Sequence, residues 1–185
     1  MAFGKICYAS SAVEFDSYRL DLKSVPCPHC HSVGNLIGHG YLRGYGDQGS
    51  EKVQRGWRIF CSDRHRRKGC GRTHSVLLAG FLKRRTVTTG RLWKFLEGML
   101  FGLSVKAAWE KMASPFCLEC GYRLWKKFGS LQSKLRSLLC RKEDPKFSSL
   151  KNPLLQTIEH LKDLFPQSDC PIDEFQSHFQ CSFLG

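Results

Sequence analysis

The sequence predicts an α+β fold: a small β zinc ribbon, then an all-α helix-turn-helix module, then a C-terminal helical tail. Three observations predict it. Cysteines fall in two pairs, Cys27/Cys30 and Cys61/Cys70, among short apolar runs punctuated by glycine. From about residue 90 the apolar residues recur at helical spacing instead. Net positive charge gathers in these two middle stretches, between a neutral and an acidic end, so they read as modules with a shared task.

Residues 1–24 carry Ile6, Tyr8, Val13, Phe15, Tyr18, Leu20 and Leu22, and read as an N-terminal arm: a short strand or extended segment packed on the neighbouring module. They lack the unbroken apolar run of a secretory signal. No later apolar stretch is long enough to span a bilayer. The expectation is a soluble, cytoplasmic protein without membrane contact. In a reducing compartment its ten cysteines suit metal binding better than disulfides.

Residues 25–85 form the expected ribbon. Candidate strands are 35–39, 40–45, 53–60 and 73–77, with Gly34, Gly46, Gly49 and Gly69 as turns. Structural zinc takes four tetrahedral ligands, usually thiolates in closely spaced pairs. Cys27-Pro28-His29-Cys30 has that spacing, and proline stiffens its turn. Cys61 and Cys70 are separated by eight residues, so Ser62 to Gly69 must loop out of the second knuckle. That loop carries Arg64, Arg66, Arg67 and Lys68 and would face a polyanion. His65 or His74 could replace one thiolate. One structural Zn2+ on Cys27, Cys30, Cys61 and Cys70 is the expected cofactor. A catalytic zinc needs an open position and an adjacent acid or base. A deaminase-type site needs His-x-Glu ahead of its cysteines, and the chain has none.

Residues 86–142 form the expected helix-turn-helix module. Leu92, Trp93, Leu96, Met99, Leu100 and Leu103 mark a first helix. Ser104 reads as the N-cap of a second, carrying Val105, Ala108, Trp109 and Met112. Ser114-Pro115 reads as the cap and first position of a recognition helix over 115–128. Gly129-Ser130 then reads as a break before a fourth helix. Tyr122, Arg123, Lys126 and Lys127 would face outward, Arg123 toward a guanine edge and the lysines toward phosphates. An ordinary helical bundle is the alternative. Cys117 and Cys120 share a helix face, which suits packing, or a second metal if a partner pair existed. The connector Lys83-Arg84-Arg85-Thr86-Val87-Thr88-Thr89 suits phosphate contacts.

Residues 143–185 open on Glu143-Asp144-Pro145, a linker-like break. A helix from about Pro153 to Leu164 comes next. Phe175, Phe179 and Phe183 then form a stripe that suits core or subunit packing, so 146–185 is the candidate surface for self-association or a recombinase partner.

Charge points to the partner. The chain holds 29 Lys and Arg against 16 Asp and Glu, a net charge of +13. Residues 27–90 hold twelve basic and three acidic residues, and residues 91–142 eleven and three. Residues 143–185 hold three and seven. A basic stripe between neutral and acidic ends is the footprint of a polyanion-binding surface.

Cys27-Pro28-x-Cys30, the hairpin His39-Gly40-Tyr41 with Arg43-Gly44, Cys70-Gly71-Arg72-Thr73-His74 and Phe81-Leu82-x-Arg84-Arg85 together resemble the zinc-ribbon head of bacterial transposase-associated proteins. The resemblance covers about residues 25–128. It departs in the stretched second knuckle and in His74, where those heads carry an aromatic. It implies double-stranded DNA as partner and adds Arg72 to the candidate contacts. Such heads often precede a catalytic domain with three dispersed acids, for which this chain has no room. The expectation is therefore a zinc-containing DNA-binding protein without catalytic activity, an accessory or regulatory factor of a transposase or recombinase. The alternatives are a nuclease or strand-transfer subunit, for which Asp47, Glu51 and Asp63 are the only acids in the ribbon, and an RNA-binding or protein-bridging zinc module.

Overall fold

A computed structural model describes residues 6–47, 51–66 and 68–185. Among them, the apolar alternation after Asn35 becomes a long antiparallel hairpin, β2 (Leu36–Tyr45) with β3 (Lys52–Cys61). β4 (Thr73–Leu78) adds to the other edge of β3, and the two-residue β1 (Tyr8–Ala9) runs parallel to β4. The sheet order is β1-β4-β3-β2. Residues 35–39 and 40–45 were expected as separate strands and form one. The register shifts between Gly38 and Tyr41, where Gly40 adopts φ 97°, so the glycine makes a bulge and not a turn. Gly56, at φ 153°, lies so close to Val76 of β4 that any side chain would collide with its carbonyl.

The N-terminal segment is more ordered than an arm. After β1 comes helix α1 (Ala12–Leu20). The Ser11 hydroxyl accepts the Glu14 N–H at 3.1 Å, and the Glu14 carboxylate accepts the Ser10 N–H. The first bond is the N-cap half of a Ser-x-x-Glu capping box, and the return bond reaches one residue further back, to Ser10. Phe15 stacks on Trp57 at 3.9 Å with the rings 10° apart. Tyr18, Leu22, Val25, Leu36, Ile59 and Val76 complete that core, which also buries Cys27 and Cys61.

Five helices lie beyond the sheet: α2 (Thr89–Leu100), α3 (Val105–Lys111), α4 (Leu118–Leu139), α5 (Pro153–Leu164) and α6 (Pro171–Phe179). Ser104 caps α3 as expected, accepting the Ala107 N–H at 3.2 Å. Two other boundaries differ from expectation. Ser114-Pro115 does not open a helix. The Ser114 hydroxyl accepts the Phe116 N–H, and the Trp109 indole donates to the Phe116 carbonyl at 3.1 Å, which holds this segment outside the helix. Helix α4 begins after it, with Cys117 as N-cap. Nor does Gly129-Ser130 break α4. Leu124, Phe128, Leu135 and Leu139 are all buried along one stripe that spans the pair. That burial outweighs the cost of a helical glycine, about 1 kcal/mol.

The C-terminal aromatics lie inside this second core. Phe175 and Phe183 are fully buried with Phe128, Ile158 and Leu161, and Phe183 stacks on Phe128. Two glutamines tie α6 back to the sheet. The Gln176 amide donates to the carbonyls of Ala79 and Phe81, and Gln180 bonds the backbone of β1. Among the described residues no helix is long and apolar enough to cross a membrane.

Candidate metal centre and basic groove

The β-pairing brings the two cysteine pairs together. Cys61 ends β3 opposite Leu36, and the Cys27–Cys30 turn lies just upstream of β2. Cys70 lies just ahead of β4. Local hydrogen bonds shape both turns. The His31 N–H donates to the Cys27 carbonyl, and the Cys27 N–H to the Ser32 carbonyl. In the second turn the Gly69 N–H reaches the Ser62 carbonyl at 3.0 Å, and the Gly71 N–H reaches the Cys61 carbonyl at 3.0 Å. The Gly69–Ser62 bond pinches off the loop that leaves and returns between these two residues. Stretched spacing is thus reconciled with a compact pair of ligands.

All four sulfur atoms lie within 4.8 Å of one another. Cys27 and Cys70 are 3.8 Å apart, Cys30 and Cys61 3.7 Å. A tetrahedron with metal–sulfur bonds of about 2.3 Å has edges of about 3.8 Å. The cluster therefore has the dimensions of a site for one tetrahedral soft cation. Hydrogen-bond donors point at three of the sulfurs. The His29 N–H points at the Cys27 sulfur and the Cys70 N–H at the Cys61 sulfur, each at 3.4 Å. The Ser32 hydroxyl lies 3.0 Å from the Cys30 sulfur and 3.8 Å from that of Cys61.

Protein groups alone do not ionise all four. Hydrogen bonds from the Ser32 hydroxyl and backbone lower Cys30 to about 6. Burial pushes Cys61 up to about 12. The Arg72 backbone favours the Cys70 thiolate, but burial and the neighbouring thiols leave Cys70 raised. A cation is the missing charge that would ionise them together. The histidine alternatives stand apart from the four sulfurs. His65 is exposed in the pinched loop, and His74 is buried on β4 in register with Ile59.

No protein-family model, curated protein or solved structure matches this chain.

The basic residues divide into separate groups. Arg64, Arg66 and Lys68 are exposed on the pinched loop, and Arg72 is exposed just past Cys70. Arg67 lies outside the described residues. Arg84 and Arg85 meet Arg123 across a groove of about 230 Å³ that Thr86, Phe116 and Cys120 also line. Tyr122 and Lys126 are exposed on the same helix. Lys127 is half-buried and close to Gly185. Lys83 lines a different hollow, with Lys134 and Ser75.

Sequence reasoning missed the residues that place the connector. Arg55 donates from Nη2 to the carbonyls of Leu82 and Arg85 and lies over the Phe81 ring. Asp47, from the end of the β2–β3 hairpin, accepts the N–H and hydroxyl of Thr88, the N-cap of α2. Arg91 lies 3.0 Å from the same carboxylate. The only signal for Arg55 was a charged residue within an otherwise pairing strand. Asp47 had none, since its partner is 41 residues away. Asp47 is thereby engaged in helix capping, and among the described residues no acid joins a metal-holding group.

Proposed function

We propose that this protein is a zinc-stabilised DNA-binding protein. Zinc is the ion whose four-thiolate structural sites have the spacing of Cys27, Cys30, Cys61 and Cys70, and whose role is to hold local structure. The ion would fasten the two knuckles and hold Arg64, Arg66 and Lys68 out from them. Helices α3 and α4 are the helix-turn-helix pair in this reading. Gly121 of α4 lies against the Trp109 ring of α3, which sets their close approach. The first half of α4 would read bases with Arg123 and touch the backbone with Tyr122 and Lys126. We further propose an accessory or regulatory role beside a transposase or recombinase, on the resemblance of residues 25–128 to transposase-associated heads.

The observation that carries DNA binding is the convergence of Arg84, Arg85 and Arg123 on one groove, although the connector and α4 lie far apart in sequence. Three arginines lining one groove favour a nucleic acid, with Arg84 and Arg85 toward the phosphate backbone and Arg123 toward a base edge. The test is anisotropy titration of the full metal-loaded chain with duplex DNA, in competition with structured RNA. Duplex DNA should win. Replacement of all three arginines by alanine should weaken binding, reduce the salt slope by about two for Arg84 and Arg85, and relax the base preference set by Arg123. Equal displacement by RNA, or an unchanged slope in the triple variant, would sink the proposal.

A further inference from the structure

Cys117 and Cys120 are the one cysteine pair outside the metal cluster with a close sulfur contact among the described residues, at 3.7 Å. Cys117 is the N-cap of α4 and is exposed, while Cys120 is half-buried one turn on. The Cys117 sulfur makes no capping hydrogen bond, so the helix does not consume it. A third ligand is absent from the pair among the described residues, which leaves it a dithiol and not a metal site. Closing 3.7 Å to a disulfide requires the sulfurs to approach by about 1.7 Å, within the reach of side-chain rotation.

The charge around the pair is specific. Cys120 lines the groove that Arg84, Arg85 and Arg123 also line, and Arg123 is one turn along α4. Glu119 is the acid beside the pair, its carboxyl held low by its own backbone N–H and by the Cys117 thiol. Against this one acid stand the three arginines that line the groove, of which Arg123 bears directly on the Cys120 sulfur. Burial raises the Cys120 thiol, so that sulfur stays protonated until Cys117 has reacted.

We propose that Cys117 and Cys120 form a thiol–disulfide exchange site whose substrate is a small, carboxylate-bearing disulfide. Cys117 loses its proton to solvent and attacks one sulfur of the substrate. A protein–substrate mixed disulfide forms and one substrate thiolate leaves. Cys120 then loses its proton and attacks the Cys117 sulfur, expelling the second thiolate. The protein dithiol is oxidised by two electrons, and the small disulfide is reduced to two thiols. This exchange would share the arginine groove with the proposed DNA contacts, but it involves none of the four clustered cysteines.

The experiment incubates the full metal-loaded chain with glutathione disulfide, quenches with an alkylating agent and maps peptides by mass. Wild-type protein should carry an internal Cys117–Cys120 disulfide, two hydrogens lighter, reversed by a phosphine reductant. Cys120→Ser should accumulate a stable glutathione adduct on Cys117, and Cys117→Ser should leave residue 120 unmodified. At low ionic strength glutathione disulfide should react about tenfold faster than the cationic disulfide cystamine, and the ratio should collapse in salt. Wild-type protein that forms no Cys117–Cys120 disulfide overturns the proposal without any variant. So does a Cys117→Ser chain whose residue 120 reacts at the wild-type rate. Cystamine reacting as fast as glutathione disulfide at low salt overturns the assigned substrate class. Loss of DNA binding with exchange intact, or the reverse, would tell the two readings apart.

Discussion

The side chain of Gln180 acts as a strand for Tyr8. Its Oε1 accepts the Tyr8 N–H and its Nε2 donates to the Tyr8 carbonyl, both at 2.9 Å, and Oε1 also takes the Cys7 N–H at 2.7 Å. One amide thus closes the outer edge of a two-residue strand and joins the C-terminal helix to the sheet. Gln180→Ala leaves two backbone donors and an acceptor without partners. Each buried orphan costs about 1–3 kcal/mol. The variant should lose about 2–3 kcal/mol in urea unfolding, partial exposure moderating the sum. A loss under about 0.5 kcal/mol would show that the edge is satisfied otherwise.

Helix α4 makes a paired prediction. At Gly121 a methyl group would lie 2.8 Å from the Trp109 ring, so Gly121→Ala should destabilise by about 1–3 kcal/mol through overpacking. At Gly129 the nearest atoms are Leu154 methyls at 3.8 Å, an ordinary contact. Gly129→Ala should therefore stabilise by up to about 1 kcal/mol through helix propensity alone. Thermal unfolding of both variants checks the signs. Equal effects would mean that α3 and α4 are not in close contact at Gly121.

Metal content gives the next prediction. Purified protein should carry one zinc per chain by elemental analysis. Cys61→Ser should lose the metal and the Trp57 core with it, because Cys61 is fully buried in the cluster that holds Phe15 and Trp57. Cys140→Ser, on the far end of α4, should keep full zinc content. A strong chelator should lower the unfolding temperature of the wild type and leave Cys61→Ser unchanged. Full zinc in Cys61→Ser would remove that residue from the ligand set.

Metal affinity should rise with pH, and the direction comes from the thiols. Cys30 at about 6 is already ionised at neutral pH, whereas Cys61 at about 12 and the raised Cys70 are protonated there. Binding must expel at least their two protons. Affinity should then climb at least about a hundredfold per pH unit between pH 6 and 8, and fall more steeply below pH 6 as Cys30 also protonates. Chelator competition at stepped pH, with proton release followed in weak buffer, measures it. Release of fewer than two protons at pH 7 would contradict the assigned thiol states.

Much of this was legible in the residues, and the exceptions have physical causes. The ligand pairs were readable because local spacing fixes a knuckle, and the stretched second turn was readable as a loop that must leave and return. The helix stripe of α4 was readable too, but Gly129-Ser130 was weighed as a breaker. Breaker residues are local preferences of about 1 kcal/mol, and the stripe through Phe128 and Leu135 exceeds them. Helix α1 carried its own signature in Ser11 and Glu14, which periodicity alone passes over. The links between distant segments were not legible. Gln180 to Tyr8, Asp47 to Thr88 and Arg55 to Arg85 each join polar residues across long sequence separations, and polar pairing leaves no periodic trace.

The most direct measurement is the salt dependence of duplex DNA binding by the metal-loaded chain. Lys and Arg on the loop, the groove and α4 should displace many counterions together. Log affinity should fall linearly with log salt, with a slope of about −5 to −9 for six to ten phosphate contacts. An affinity that barely changes between low and physiological salt would rule out the proposed DNA-binding surface.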